Sequence, residues 1–508
     1  MIDTVSTQGV HSLKLRRVGI DTHQEHVIFM RSDCHVCRAE GFAAQARIQV
    51  RNGEHSIIAT LNVVTGDLLA HGEAGLSEVA WLMLGAREGD RITLSHAPPL
   101  ESLSQLRTKI YGKRLGASAM SAILRDVAAG LYSDIHLSSF VTACAGDRMD
   151  LQEIVDLTRA MIDVGERLDW EISPVVDKHC VGGLPGNRTT LLVVPIVSAF
   201  GMVMPKTSSR AITSPAGTAD TMETLAPVNL DLSQMRSVVE REGGCIAWGG
   251  SIRLSPADDV LIRVERALDL DSEGQLVASV LSKKAAAGST HVVIDIPVGP
   301  TAKVRTLKSA ETLEDHLVGV GRAVGLKVQV AITDGSQPVG RGIGPALEAR
   351  DVVAVLHGWP DAPADLRERA LVLAGHVLEF SPEVPKGTGK ALAQSILDSG
   401  QALRKFQAIC EAQGGMREPP RAAYTNEVLA RSAGRIAGID NRRLARVAKL
   451  AGAPTAPASG LDLHTSLEAR VDKGQPLFTV HAEAPGELAY ALDYVKANPD
   501  IVQIQEAR

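Results

Sequence analysis

The sequence predicts an α/β multidomain protein, and three changes of texture along the chain predict it. Strand signals dominate residues 1–98. The pattern turns helical over residues 100–167. From residue 168 to about 425, short apolar strands alternate with Gly-rich loops and helices, and residues 426–508 mix small β elements with a short helix. Alternation of strands and helices implies an α/β sheet with helices on its faces. The 508 residues exceed what one hydrophobic core organises, so several domains are expected.

The elements follow in order. Arg47 to Val50 leads through Asn52-Gly53 into Ser56 to Leu61, a hairpin signal. Gly89 to Leu94 reads as a last strand, and Ala97-Pro98-Pro99 closes the segment. Apolar faces at helical spacing start at Ser118 and Leu137, and Asp150-Leu151-Gln152-Glu153 has the form of a capping sequence for a further helix. Val175-Val176, Val203-Met204, His291 to Ile296 and Lys327 to Ile332 read as strands. Arg442 to Leu450 reads as a helix, and Gln475 to His481 as a strand.

Composition narrows the class. The chain has 59 acidic and 53 basic residues, a net charge of −6, which argues against nucleic acid or an anionic membrane as the main partner. Six scattered cysteines do not form a disulfide framework and fit a reducing cytoplasm. The N-terminus lacks the apolar core of a signal peptide, and no apolar run is long enough to span a membrane. Cys34-His35-Val36-Cys37 with His23 and His26 offers zinc-type ligands. There is no second pair at finger spacing, so no metal is assigned.

Three segments hold candidate chemistry. Asp177-Lys178-His179-Cys180-Val181-Gly182-Gly183-Leu184-Pro185-Gly186-Asn187-Arg188-Thr189-Thr190 follows a strand and precedes an apolar helix. Glycines let backbone N–H groups converge, the helix start adds positive potential, and Lys178 adds a full charge, which makes a phosphate site. It is not a P-loop, because Asn187-Arg188 follows Gly186. The second segment, Lys206 to Asp220, gathers six hydroxyls and one guanidinium within thirteen residues, which suits a sugar phosphate. In the third, Asp269-Leu270-Asp271 precedes a helix on which Ser279 and Lys283 share a face at i,i+4.

Together these segments resemble the thymidine/pyrimidine-nucleoside phosphorylase family from about Leu106 to the end. The wording DKHCVGGLPGNRTTLLVVPIV, PKTSSRAITSPAGTAD and QPVGRGIGPALEARDVVAVL, with the N-terminal extension, resembles the long-form AMP phosphorylase subgroup. The resemblance implies a helical domain, 100–167 with a return near 256–285, facing a mixed-sheet α/β domain like that of phosphoribosyltransferases. The site would lie in the cleft. It implies a cytoplasmic pentosyltransferase that needs no cofactor, takes inorganic phosphate as co-substrate, and forms a homo-oligomer, dimer or larger, with residues 1–98 serving assembly.

The resemblance also implies roles for residues. Lys178, Thr190, Ser208 and Thr218 match phosphate-binding positions. Gly183, the stretch Ser209, Arg210, Ala211, Ile212, Thr213, Ser214, and Thr218, Ser279, Lys283 and Lys303 match positions that hold the nucleoside or nucleotide. Asp271 matches a proton donor for a purine. For a pyrimidine, Lys283 and His179 would neutralise the oxygens of the departing base. Two departures stand out. Cys180 replaces the family's usual Ser, and Val264 falls where thymidine phosphorylases carry an Arg that recognises thymine. This favours phosphorolysis of an AMP-like 5′-monophosphate to free base and ribose 1,5-bisphosphate. The alternative is phosphorolysis of thymidine to thymine and 2-deoxyribose 1-phosphate. A nucleotide-sensing or assembly protein is the non-enzymatic rival. A phosphoribosyltransferase would need an acidic pair near the Gly loop, and none lies between Gly182 and Thr190.

Overall fold

The computed structural model describes residues 12–22, 25–211, 214–252, 254–268, 270 and 272–506. The chain divides into two compact units, Met1–Arg148 with Val260–Leu270, and Met149–Asp259 with Asp271–Arg508.

In the first unit, the strands Ser12–Arg17, Val27–Arg31, Arg47–Asn52, His55–Val64, Glu73–Leu76 and Arg91–His96 close into a barrel. Alternate residues point inward, so Leu13, Leu15, Ile48, Val50, Ile92 and Leu94 fill the core. The expected hairpin forms, with its loop one residue further on. Asn52 pairs with His55, and Gly53 takes the positive φ of +59°. The helices Ser102–Ile110, Ala117–Ala128 and Asp134–Cys144 belong to the same unit. Arg47 of the barrel donates to the carbonyls of Gly130 and Leu131, which fastens the barrel to these helices.

Cys34 and Cys37 are packed into the barrel core, and burial pushes the Cys37 thiol up to about 12. Among the described residues, no three His, Cys, Asp or Glu side chains gather as a metal set; His23 lies outside them.

The second unit is built on parallel strands in the order Lys327–Asp334, His291–Val298, Val176–Cys180, Met204–Ser208, Gly244–Trp248. The third and fourth are joined by a parallel bridge between Val175 and Val203. Antiparallel pairing enters through Gly342–Ile343, which pairs with Gly460–Leu463 of the C-terminal strands. The helix Thr190–Phe200 is apolar on all sides. Its residues from Leu191 to Val197 lie in the main core with the helices Pro345–His357, Ala364–Leu378 and Gln401–Ala412. The Asp150 carboxylate accepts from the Glu153 N–H at 2.8 Å, so the anticipated cap opens the helix Leu151–Asp163.

Candidate active site

In a parallel sheet every strand delivers its following loop to the same edge, and ligands bind outside the carboxyl ends of the strands. Three segments meet at that edge here. The Gly-rich loop follows Val176–Cys180, the Ser/Thr loop follows Met204–Ser208, and the segment with Lys303 follows His291–Val298. Gly183 has a φ of +79°, and a Cβ there would strike the backbone and Cβ of Lys303. Only glycine lets these two segments approach so closely.

The strand Val176–Cys180 sends its side chains to opposite faces. Asp177 is fully buried, with Lys284 Nζ at 2.7 Å and Lys206 Nζ at 3.2 Å. Burial would raise the Asp177 carboxyl, but the two ammonium groups hold it below the usual carboxylate range. Burial likewise pulls Lys206 down to about 7, against the opposing pull of Asp177. Lys178 is also buried and donates to Thr189 Oγ1 at 2.7 Å. Its carboxylate neighbour is Asp295, which accepts from Asn187 at 3.1 Å and Thr333 at 2.6 Å. Lys178, Lys206 and Lys284 are thus buried beside the carboxylates Asp177 and Asp295.

His179 is enclosed by this positive field. Burial first, then Lys284, Lys206, Lys178 and Lys283, drive its pKa well below the ordinary value. It is therefore a neutral imidazole that donates or accepts a hydrogen bond. It carries no charge with which to neutralise a departing base. The Cys180 thiol accepts from Asn187 at 3.3 Å, and burial pushes it up to about 12, so it stays a thiol.

In the second segment, Ser208 Oγ is buried and has no hydrogen-bond partner among the described residues. A buried hydroxyl left unpaired is costly unless a ligand meets it. Thr190 is buried at the start of its helix, and Thr218 begins the helix Thr218–Glu223. The Asp220 carboxylate gathers the loop by accepting from the N–H groups of Ala211 at 2.7 Å and Gly217 at 2.9 Å. Ser214 Oγ turns inward to the Ala216 carbonyl, and Ser209 is exposed. Arg210 differs from the expectation of a guanidinium directed at substrate. Both its terminal nitrogens bind Glu223, at 2.5 and 2.9 Å, and its plane covers Trp248. The reason is local: Glu223 lies one helix length along, and a partly buried guanidinium takes the nearest carboxylate.

The helix Glu273–Ala286 places Ser279 and Lys283 on one face, and one buried carboxylate joins them. Asp258 accepts from Ser279 Oγ at 3.0 Å and lies 2.5 Å from Lys283 Nζ. Lys283 also contributes to the field at His179, which brings the third segment towards the Gly loop. Val264 is buried within its helix, while Arg263 binds Asp134 at 2.6 Å and Arg266 is exposed. Ile212, Thr213, Asp269 and Asp271 lie outside the described residues.

Sequence reading missed the supporting carboxylates Asp177, Asp258, Asp295 and Glu348, and the tie made by Arg188. Asp295 had a signal, a lone charge inside the apolar strand His291–Val298. Glu348 had none, because its partner Arg188 is distant in sequence.

Comparison with known proteins matches three stretches of the chain. Residues 104–165 match the helical bundle domain of the glycosyl transferase family, residues 173–403 its a/b domain, and residues 435–502 the pyrimidine nucleoside phosphorylase C-terminal domain. The chain is 66% identical over 494 residues to "Putative thymidine phosphorylase 2" of Acidovorax sp. (strain JS42), covering 97% of this chain and 96% of that one. It is 62% identical over 502 residues to "Putative thymidine phosphorylase" of Legionella pneumophila (strain Paris), covering 99% and 97%. Among solved structures, anthranilate phosphoribosyltransferase from Thermus thermophilus aligns with a TM-score of 0.51 at 19% identity, covering 61% of this chain and 98% of that one, a likeness of fold alone. Identity at this level over nearly the whole length places the chain in the thymidine/pyrimidine-nucleoside phosphorylase family, and it is a phosphorylase of the glycosyltransferase class.

Proposed function

We propose that this phosphorylase acts on a nucleoside 5′-monophosphate, releasing the free base and ribose 1,5-bisphosphate. The observation that carries the reading is Val264. An apolar, buried side chain stands where the thymidine enzymes use a guanidinium to read thymine, and neighbouring Arg263 is held by Asp134. A helical neighbour also points about 100° away and does not substitute for it.

In this reading an oxygen of inorganic phosphate forms a bond to the anomeric carbon as the bond from that carbon to the base breaks. Lys178, Thr190, Ser208 and Thr218 hold the phosphate, which removes the entropy cost of bringing two reactants together. The buried, unpartnered Ser208 Oγ and the buried Lys178 at the head of the Gly loop support that assignment. Ser279, Lys283 and Lys303 hold the nucleotide, and Gly183 with the 209–214 loop lines the sugar. Asp271 supplies the proton to a purine leaving group, a step worth about 10²–10⁴-fold. His179, being neutral, serves as a hydrogen-bond partner.

Two observations favour thymidine as a second reading. Arg210 already has an anionic partner, and the relatives carry the thymidine phosphorylase name. A panel of AMP, CMP, UMP, uridine and thymidine, each with phosphate and read by chromatography of the free base, separates them. The nucleotide reading expects a 5′-monophosphate to exceed its nucleoside in kcat/KM by about tenfold or more, the worth of one charge-assisted hydrogen bond. Thymidine turned over as well as any nucleotide would establish the second reading.

A further inference from the structure

Arg188 follows the last residue of the Gly-rich turn, and its side chain is 11% exposed. Its guanidinium makes three different contacts. Nε meets Glu348 Oε2, Nη1 donates to Thr218 Oγ1 at 3.2 Å, and Nη2 donates to the Ala216 carbonyl at 3.0 Å. Glu348 is itself buried in the helix Pro345–His357. It also accepts from Thr221 Oγ1 at 2.9 Å and from the Gly344 N–H at 3.2 Å. One planar cation therefore ties the first loop to the second, and one carboxylate from a third element fixes the plane.

We propose that Arg188, anchored by Glu348, is a positioning residue for phosphate that acts through Thr218; this rests on the phosphorolysis reading. A threonine hydroxyl has two lone pairs and one proton. When Thr218 Oγ1 accepts from Arg188, its proton is left to donate, which is the orientation an anion needs. The rigid fork of arginine is required, since a lysine ammonium is a point charge without fixed directions for three acceptors. Holding Ala216 at the same time fixes the distance between the Gly loop and the Ser/Thr loop.

The test is the binding of inorganic phosphate to the full-length free protein by calorimetry, alongside the KM for phosphate and for the base-bearing substrate. Arg188→Gln is expected to weaken phosphate by about tenfold or more in both measurements, the worth of a hydrogen bond to a charged group. The KM of the base-bearing substrate should rise by a smaller factor than that of phosphate, since Thr218 also matches a nucleotide position. Glu348→Gln should weaken phosphate by a smaller factor. Arg188→Lys should restore little, and it is read in place of Arg188→Gln if that variant does not fold. The decisive arm is Thr218→Val. In its background Arg188→Gln should cost little more, because the guanidinium acts through that hydroxyl. Unchanged phosphate affinity in folded Arg188→Gln and Arg188→Lys, or losses that simply multiply in the double variant, would overturn the proposal. A wild-type protein that binds phosphate yet releases no base contradicts the reaction instead, and the calorimetric arms still decide the role of Arg188.

Discussion

Arg210 and Glu223 meet in a two-point ion pair, with guanidinium nitrogens 2.5 and 2.9 Å from the two carboxylate oxygens. The pair spans the loop between Met204–Ser208 and Thr218–Glu223 and pins it over Trp248. Arg210→Ala should therefore loosen the loop and raise the KM for nucleoside and nucleotide by similar factors. A loss confined to the 5′-monophosphate would show that Arg210 exchanges Glu223 for the ligand. Steady-state kinetics on matched pairs such as uridine and UMP reads the difference.

Lys178→Ala should leave a folded protein with poor use of phosphate. The ammonium donates to Thr189 and faces Asp295, at the head of the Gly loop. Loss of a charged hydrogen bond should raise the KM for phosphate by about 10- to 100-fold. An unchanged phosphate dependence would contradict the assignment of this loop.

Asp177→Asn should be severely destabilising. The variant leaves Lys206 and Lys284 buried without their shared carboxylate. Breaking a buried pair costs about 3–5 kcal/mol, to be read as a fall in the urea midpoint at constant slope. Asp177→Glu should recover little, because an added methylene has no room in a fully buried site.

These elements divide by how far a sequence reveals them. The strands His291–Val298 and Lys327–Asp334, the cap at Asp150 and the shared face of Ser279 and Lys283 were legible, since each is fixed by local periodicity or capping chemistry. Closure of six strands into a barrel was not, because it depends on pairings such as Lys14 with Glu73, far apart in the chain. The pairing of Arg210 with Glu223 was equally hidden. Composition shows a guanidinium in a loop, but only the fold shows which carboxylate reaches it first.

His179 gives a pH signature. Its folded-state pKa lies well below the ordinary 6.5, whereas the unfolded chain takes up a proton there. Between these two values the unfolded state binds more protons, so this residue subtracts stability as pH falls below about 6.5 and has no such effect above it. His179→Asn should therefore lose less stability than the wild type between pH 7.5 and pH 5.5. Equal losses in urea titrations at both pH values would show that His179 titrates normally.

The most direct measurement follows phosphate itself. The purified protein is mixed with inorganic phosphate and the best substrate of the panel, and ³¹P NMR is recorded while the free base is quantified by chromatography. Phosphorolysis predicts one pentose 1-phosphate resonance gained and one inorganic phosphate lost for each base released, and no release when phosphate is left out. Base released without phosphate consumption, or no release from any member of the panel, would contradict it.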